Sequence, residues 1–345
     1  MPRAFALRLD MPDPADAGAL AAALSTGVLR ADAVRAVLIK TPGNGLTNDF
    51  SRDLAARSVA AVLRAHGAVL PMILPSGGVE GIAVPHMLLL GREEGDVASP
   101  DRRLALGFAR GEALAGSAIG TAVMAEAVAA TVAAAMRDAR LAGGDVALAI
   151  VKAPLPTPSD FGGDHAALKA RARGAAALGV MAALGELDAA RLATVAICND
   201  ASLFSSRALV AAGTDVMAPE VLVLGMGMGW GGDLVAASAA LDDMLDARGF
   251  RAVLARSGLS QLPDDGARVA ALLVKGAMPA QLRGTRPAAH DDDDIHPNRH
   301  WRAAMSGVIG ALTGDLRPFL SGGGEHQGPP GGVTVAVIAR TGQGE

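Results

Sequence analysis

Val269-Ala-Ala-Leu-Leu-Val-Lys275-Gly-Ala-Met-Pro279 is a strand-length apolar run that stops at a lysine and is followed by Gly and Pro. The pattern occurs twice more, as Arg35-Ala-Val-Leu-Ile-Lys40-Thr-Pro-Gly43 and Val146-Ala-Leu-Ala-Ile-Val-Lys152-Ala-Pro154. A near-continuous apolar run of this length reads as a strand buried on both faces. The Gly and Pro that follow punctuate its end. The lysines are spaced by roughly a third of the chain, and a fixed long period signals an internal repeat.

Working outward, each lysine is followed by a helical pattern with an arginine near its start or middle. These patterns are Asn48 to His66 with Arg52, His165 to Leu187 with Arg173, and Asn298 to Thr313 with Arg299. Next comes an expected strand ending in serine: Pro71 to Ser76, the stretch Leu192 to Ser206, and Leu316 to Ser321. A further apolar run closes each unit, at Leu104–Gly107, Val221–Gly225 and Val333–Ile338. The expected architecture is α/β, with three similar units, 1–110, 111–232 and 233–345, around a pseudo-threefold axis and a central site.

Strand C-termini in α/β architectures converge on ligand crevices. Three Lys, three Arg and three Ser aimed at one axis form a donor-rich pocket. Arginines and Gly-flanked backbone N–H groups suit several carbonyl oxygens or an oxyanion. A serine needs a base to act as a nucleophile. Lysine can serve once burial and neighbouring cations lower its pKa. This inventory suits acyl transfer at an unreactive amide in a small planar ring with several carbonyls.

Composition narrows the alternatives. Of the 345 residues, 51% are hydrophobic and only 3% aromatic, with no Tyr, so stacking platforms for single-stranded nucleic acid are lacking. The formal net charge of −4 leaves no electrostatic footprint for DNA or an anionic membrane. The single Cys198 excludes an internal disulfide framework and a multi-cysteine zinc site, and reads as a core thiol. The Ala- and Gly-rich stretch from Leu114 to Met136 reads as a buried helix rather than a membrane span. The expected setting is cytoplasmic, with no nucleic acid or membrane partner.

The motifs Lys40-Thr-Pro-Gly-Asn-Gly-Leu-Thr-Asn-Asp49, Ser76-Gly-Gly-Val-Glu-Gly81 with Pro85-His86, Arg173-Gly-Ala-Ala-Ala-Leu-Gly179 and Ser321-Gly-Gly-Gly-Glu-His-Gln-Gly-Pro329 stand in order along the chain. At these residues the sequence resembles the cyanuric acid amidohydrolase and barbiturase family, the ring-opening amidohydrolases. The resemblance covers essentially the whole chain. It implies three similar units around a central site, a homotetramer, and hydrolysis of a ring amide by a serine with a lysine base. Carried over, Ser205 resembles the nucleophile and Lys152 its base. Arg52, Arg173 and Arg299 resemble the substrate-binding arginines. Ser76-Gly77, Ser206 and Ser321-Gly322 resemble the donors around the ring, and Lys40 and Lys275 the flanking lysines. The implied substrate is cyanuric acid, opened to carboxybiuret and then biuret and carbon dioxide; the alternatives are barbiturate, opened to ureidomalonate, or a related cyclic imide. The Ser321-Gly-Gly-Gly-Glu-His326 stretch leans toward the cyanuric acid branch. No cofactor is required. The family's structural divalent metal, magnesium or calcium, would use positions resembling Gly324, Gln327, Gly328, Pro329 and Gly332. Ala277 stands where a glutamate usually helps, which predicts weak binding or none. The segment between Pro158 and Arg173 is shorter than the family pattern.

Two other signals compete. Gly227-Met-Gly229-Trp-Gly-Gly232 follows a strand and matches G-x-G-x-x-G, the mark of a dinucleotide-binding oxidoreductase, but no acid ends the following strand. His290-Asp-Asp-Asp-Asp-Ile-His296 and His300 are dense enough for a metal, yet read as a solvated acidic loop leading into the helix of Arg299. A non-catalytic binder on the same repeat is a third class.

Overall fold

The computed structural model describes residues 1–43, 49–78, 81–95, 97–259 and 264–342. The first unit contains β1 (Pro2–Asp10), α1 (Gly18–Ser25), β2 (Val34–Lys40), α2 (Ser51–Ala65), β3 (Met72–Ser76) and β4 (His86–Glu94). The second contains β5 (Arg103–Arg110), α3 (Ala122–Ala139), β6 (Val146–Pro154), α4 (Pro158–Phe161), α5 (His165–Ala183), β7 (Ala208–Gly213) and β8 (Glu220–Gly227). The third contains β9 (Leu234–Leu241), α6 (Ala247–Arg256), β10 (Val269–Gly276), α7 (Pro297–Thr313), β11 (Phe319–Gly322) and β12 (Val333–Arg340).

Each unit forms one four-stranded mixed sheet with the same order: β1-β4-β2-β3, β5-β8-β6-β7 and β9-β12-β10-β11. The lysine strand pairs in parallel with the strand after its helix and antiparallel with the closing strand. Each lysine strand also breaks register near its start, between Val34 and Ala36, Val146 and Leu148, and Val269 and Ala271. The same irregularity at the same place in all three sheets marks them as copies of one design.

Strand alternation sets which side chains reach the axis. In β2, Val37 and Ile39 join the cluster under α1 and α2, while Ala36 and Leu38 join the core shared by all three units. In β10, Leu272 and Val274 pack with Phe250 and Trp301, while Ala271 and Leu273 enter the shared core. Lys40 and Lys275 continue the inward rows. The lysines therefore point to the centre because their strands' periodicity puts them there.

Two sequence expectations change. Arg103–Arg110 does not close the first unit at residue 110. It pairs along its whole length with Glu220–Gly227 and opens the second unit, while the closing strand of the first is His86–Glu94. Both segments are apolar runs, and only their pairing separates them. Nor does Gly227–Gly232 open a helix: it joins β8 directly to β9. It therefore lacks the helix N-terminus that a dinucleotide phosphate needs. The stretch from Leu114 turns into α3 only at Ala122, with one face buried, and no helix among the described residues is long and apolar enough to cross a membrane.

Packing of α3 onto its sheet depends on small residues. A Cβ on Gly107 would lie 2.1 Å from Ala135 O and 2.6 Å from Ala139 N, both helix backbone atoms. Gly107→Ala is expected to destabilise the protein by about 1–3 kcal/mol, since α3 must move away from β5. The denaturant midpoint of the variant against the parent measures this.

Candidate active site

The three lysines end as desolvated groups, with Lys40 and Lys275 fully buried and Lys152 nearly so. A buried ammonium is costly unless it finds partners. Lys40 Nζ donates to Gly78 O (2.5 Å) and Gly77 O (3.3 Å). Lys152 Nζ donates to Ile73 O of the first unit (2.6 Å) and to the Asp215 carboxylate (2.5 Å). Lys275 Nζ donates to Gly322 O (2.8 Å) and meets Ser321 Oγ at 3.1 Å.

Beside these groups lies a cavity of about 290 Å³. The first unit lines it with Arg52, Ser76 and Gly77, the second with Ala166, Lys169, Arg173, Ala211 and Ala212. The third contributes Lys275, Asn298, Arg299, Arg302, Ser321 and Gly322. The predicted arginines thus meet in one place. The third unit's turn passes close beneath a guanidinium: a Cβ on Gly322 would lie 2.8 Å from Arg302 Nη1. A larger opening of about 990 Å³ lies between the first and third units. Its charges are spent on one another, Arg8 with Asp315 and Arg317 with Asp10, each at 2.9 Å, so the smaller cavity is the better ligand site.

The register of the parallel pairs decides which residues correspond. Lys40 stands opposite Ser76 and Lys275 opposite Ser321, but Lys152 stands opposite Ala211. Ser76-Gly77-Gly78 and Ser321-Gly322-Gly323 therefore have Ala211-Ala212-Gly213 as their counterpart. Ser205 is not the residue beside Lys152. The stretch Leu192 to Ser206 is a run of turns and loop, and the expected strand begins only at Ala208. Ser205 sits before the start of β7, whereas Ala211 lies toward its far end. Ser205 is fully buried and holds two segments together. Its N–H donates to His326 O (2.9 Å), its carbonyl accepts from Gly328 N–H (2.9 Å), and its Oγ accepts from Arg207 N–H (3.0 Å). Ser206 lies in the same segment, outside the cavity lining.

The segment after Ser321 carries the metal-loop positions. Gly324, Gly328, Pro329 and Gly332 line a separate cavity of about 280 Å³ with Ala277. Gln327 Oε1 accepts from Val210 N–H (2.6 Å), and both Glu325 carboxylate oxygens hold Arg173, one from Nε at 2.7 Å. Asp200 beside them accepts from the Ser202 N–H and hydroxyl. The remaining donors are mainly neutral backbone carbonyls, which can ligate a hard divalent ion but bring little charge to hold it. Among the described residues no three His, Cys, Asp or Glu side chains cluster as metal ligands. The acidic loop instead prepares α7: Asp292 meets His300 at 2.9 Å, and the His296 ring accepts from Asn298 N–H. Cys198 is exposed rather than in the core, with a positive φ of 66°. Asn44–Asn48 and Val79–Glu80, parts of two quoted motifs, lie outside the described residues.

Residues 6–340 match the family of amidohydrolase ring-opening proteins. This chain belongs to that family. The cyanuric acid amidohydrolase of Bradyrhizobium sp. (strain ORS 375) is 39% identical over 97% of both chains. The protein of Azorhizobium caulinodans called a cyclic amide hydrolase is 36% identical over 96% of this chain and 98% of its own. The crystal structure of the A. caulinodans cyanuric acid hydrolase superposes with a TM-score of 0.89, at 36% identity, covering 99% of this chain and all of the other. A second cyanuric acid hydrolase, whose structure is described as a structural concatenation, gives 0.92 at 31% identity over the same coverage.

Within this ring-opening amidohydrolase, three features of the cavity escaped the sequence reading. Lys169 lies one helical turn before Arg173 on α5 and shares its face, a spacing visible in the sequence. Burial first, then the charges of Arg52 and Arg173, bring its pKa down to about 8. Burial would raise the Glu325 pKa, but the hydrogen bonds and charge of Arg173, with Lys275, hold it below the ordinary value. The alanine pair was signalled by Gly213, the third residue of its turn, which matches Gly78 and Gly323.

Two outcomes follow from this geometry. Ser205→Ala keeps turnover near the parent level and loses about 1–3 kcal/mol of stability, because the Arg207 N–H is left without its acceptor. Steady-state kinetics with a denaturation curve tests both parts. Lys169 is charged below about 8 and neutral above it. Affinity for an anionic ligand should therefore fall about tenfold as pH rises through that value, the share of one charge-assisted hydrogen bond. Lys169→Met should flatten this step in calorimetric titrations across the pH range.

Proposed function

We propose that this protein hydrolyses a ring C–N bond of a small planar cyclic imide, with cyanuric acid the first candidate and barbiturate the alternative. The observation that carries this reading is the convergence of Arg52, Arg173 and Arg299, one from each repeat, on a cavity edged by two Ser-Gly turns. A planar ring with carbonyls spread around it offers acceptors to all three guanidinium groups at once. The same donors stabilise the oxyanion that forms when a ring carbonyl is attacked. The names of the relatives at 36% and 39% identity support the same substrate class. The family resemblance extends the reading to a cytoplasmic homotetramer, which sedimentation of the purified protein tests. The donor set at Ala277 and Gly324–Gly332 supports turnover without an added metal.

Purified protein incubated with cyanuric acid and with barbituric acid, each followed by substrate loss and product mass, tests the function. Consumption of cyanuric acid with release of biuret and carbon dioxide is expected. Arg299→Ala should lower kcat/KM by about 10²–10³-fold, the usual cost of an oxyanion donor. Stability of both rings over long incubation would overturn the reading. The Ala211-Ala212 pair favours one second reading, binding without turnover; calorimetric binding of cyanuric acid with no product would be its signature.

A further inference from the structure

The three repeats offer three lysines and three turns, but they are not chemically equivalent. In the first, Ser76 Oγ donates to Leu320 O (2.8 Å) and Lys40 donates to the carbonyls of Gly77 and Gly78. In the second, the residue opposite Lys152 is Ala211, a methyl group, and Lys152 is ion-paired to Asp215. In the third, Lys275 and Ser321 stand side by side in register, 0% and 5% exposed, with Nζ and Oγ 3.1 Å apart, and both line the cavity. Lys275 Nζ meets a carbonyl and this hydroxyl, neither of them a carboxylate.

We propose that Ser321 is the nucleophile of this chain and Lys275 its base, so that the chemistry sits in the third repeat and not the second. This rests on the cyclic imide reading for its substrate. The groups around Lys275 are Arg173, Lys169 and Arg302, which disfavour its charge, and Glu325, which favours it. Burial first, and then these cations, take the ammonium pKa well below the ordinary value. Neutral Nζ accepts the Ser321 proton while Oγ forms a bond to a ring carbonyl carbon. The ring C–N bond then breaks, and the proton on Nζ passes to the leaving nitrogen. Water attacks the resulting acyl-serine, giving one proton to Nζ. The C–Oγ bond breaks and Ser321 recovers that proton. One water is consumed, one C–N bond becomes a C–O and an N–H, and no metal or redox partner enters.

The test is covalent. Intact protein is treated with a fluorophosphonate, and the labelled peptide is identified by mass. The adduct is expected on Ser321 in the parent and in Ser76→Ala, and is expected to vanish in Ser321→Ala and in Lys275→Met, with circular dichroism confirming that each variant is folded. Should the Lys275→Met chain fail to fold, the pH dependence of labelling in the parent reads the base directly. In that case a rate rising with one deprotonation below the ordinary lysine range supports the pair, and a flat rate overturns it. Ser321→Ala should also lower kcat by at least about 10³-fold. An adduct on Ser76 or Ser205 with Ser321 unmodified, the absence of any adduct, or undiminished turnover in Ser321→Ala would overturn the proposal. A parent protein that labels at Ser321 but opens neither ring would overturn the substrate reading and leave the pair standing.

Discussion

Burial of three lysine amino groups at the ends of β2, β6 and β10 is the constraint on which the rest of the structure depends. Taking each ion out of water costs several kcal/mol even after relaxation, unless acceptors replace the lost hydration. Those acceptors are the carbonyls of the tight turns after β3 and β11 and, for Lys152, Ile73 O in the neighbouring unit. Lys40 and Lys275 find carbonyls within their own units, whereas Lys152 reaches across to the first. The shared apolar core holds the three units together, and the Lys152 contact to Ile73 adds a polar tie between two of them.

That arrangement leaves a cavity with an excess of positive charge. Arg52, Arg173, Arg299, Arg302 and Lys169 face it, while Glu325 offsets part of the charge through Arg173. Such a site favours carbonyl-rich or anionic rings and disfavours protonated lysine. The same charges that would bind an electron-rich ring also lower the pKa of the base that would activate a serine. Binding and activation share one electrostatic origin.

The repeat was legible because its defining strands are buried on both faces and end in a residue type seldom found buried, a combination with few other readings. The arginines were legible because each opens or centres a helical stretch that follows a lysine strand. What failed were assignments that depend on pairing. Leu104–Gly107 and His86–Leu90 have the same apolar character, and only hydrogen bonding shows which strand belongs to which sheet. Ser205 precedes the strand that faces Lys152, and the residue opposite that lysine is Ala211, two positions before Gly213. Lys169 escaped because the other two repeats offered no lysine to compare with it. Cys198 was read as a core thiol from its residue type alone, whereas its exposure depends on the turn that carries it.

Three copies joined in one polypeptide can drift apart in a way that three identical subunits cannot. In a trimer of separate chains, an alanine at the turn would appear three times and strip every hydroxyl from the axis at once. Here the substitution at 211 is confined to a single repeat, while its sisters keep theirs. Covalent linkage therefore does more than hold the units side by side: it lets one copy give up a chemical role and another keep it, turning a symmetric ring of groups into a cavity with a front and a back.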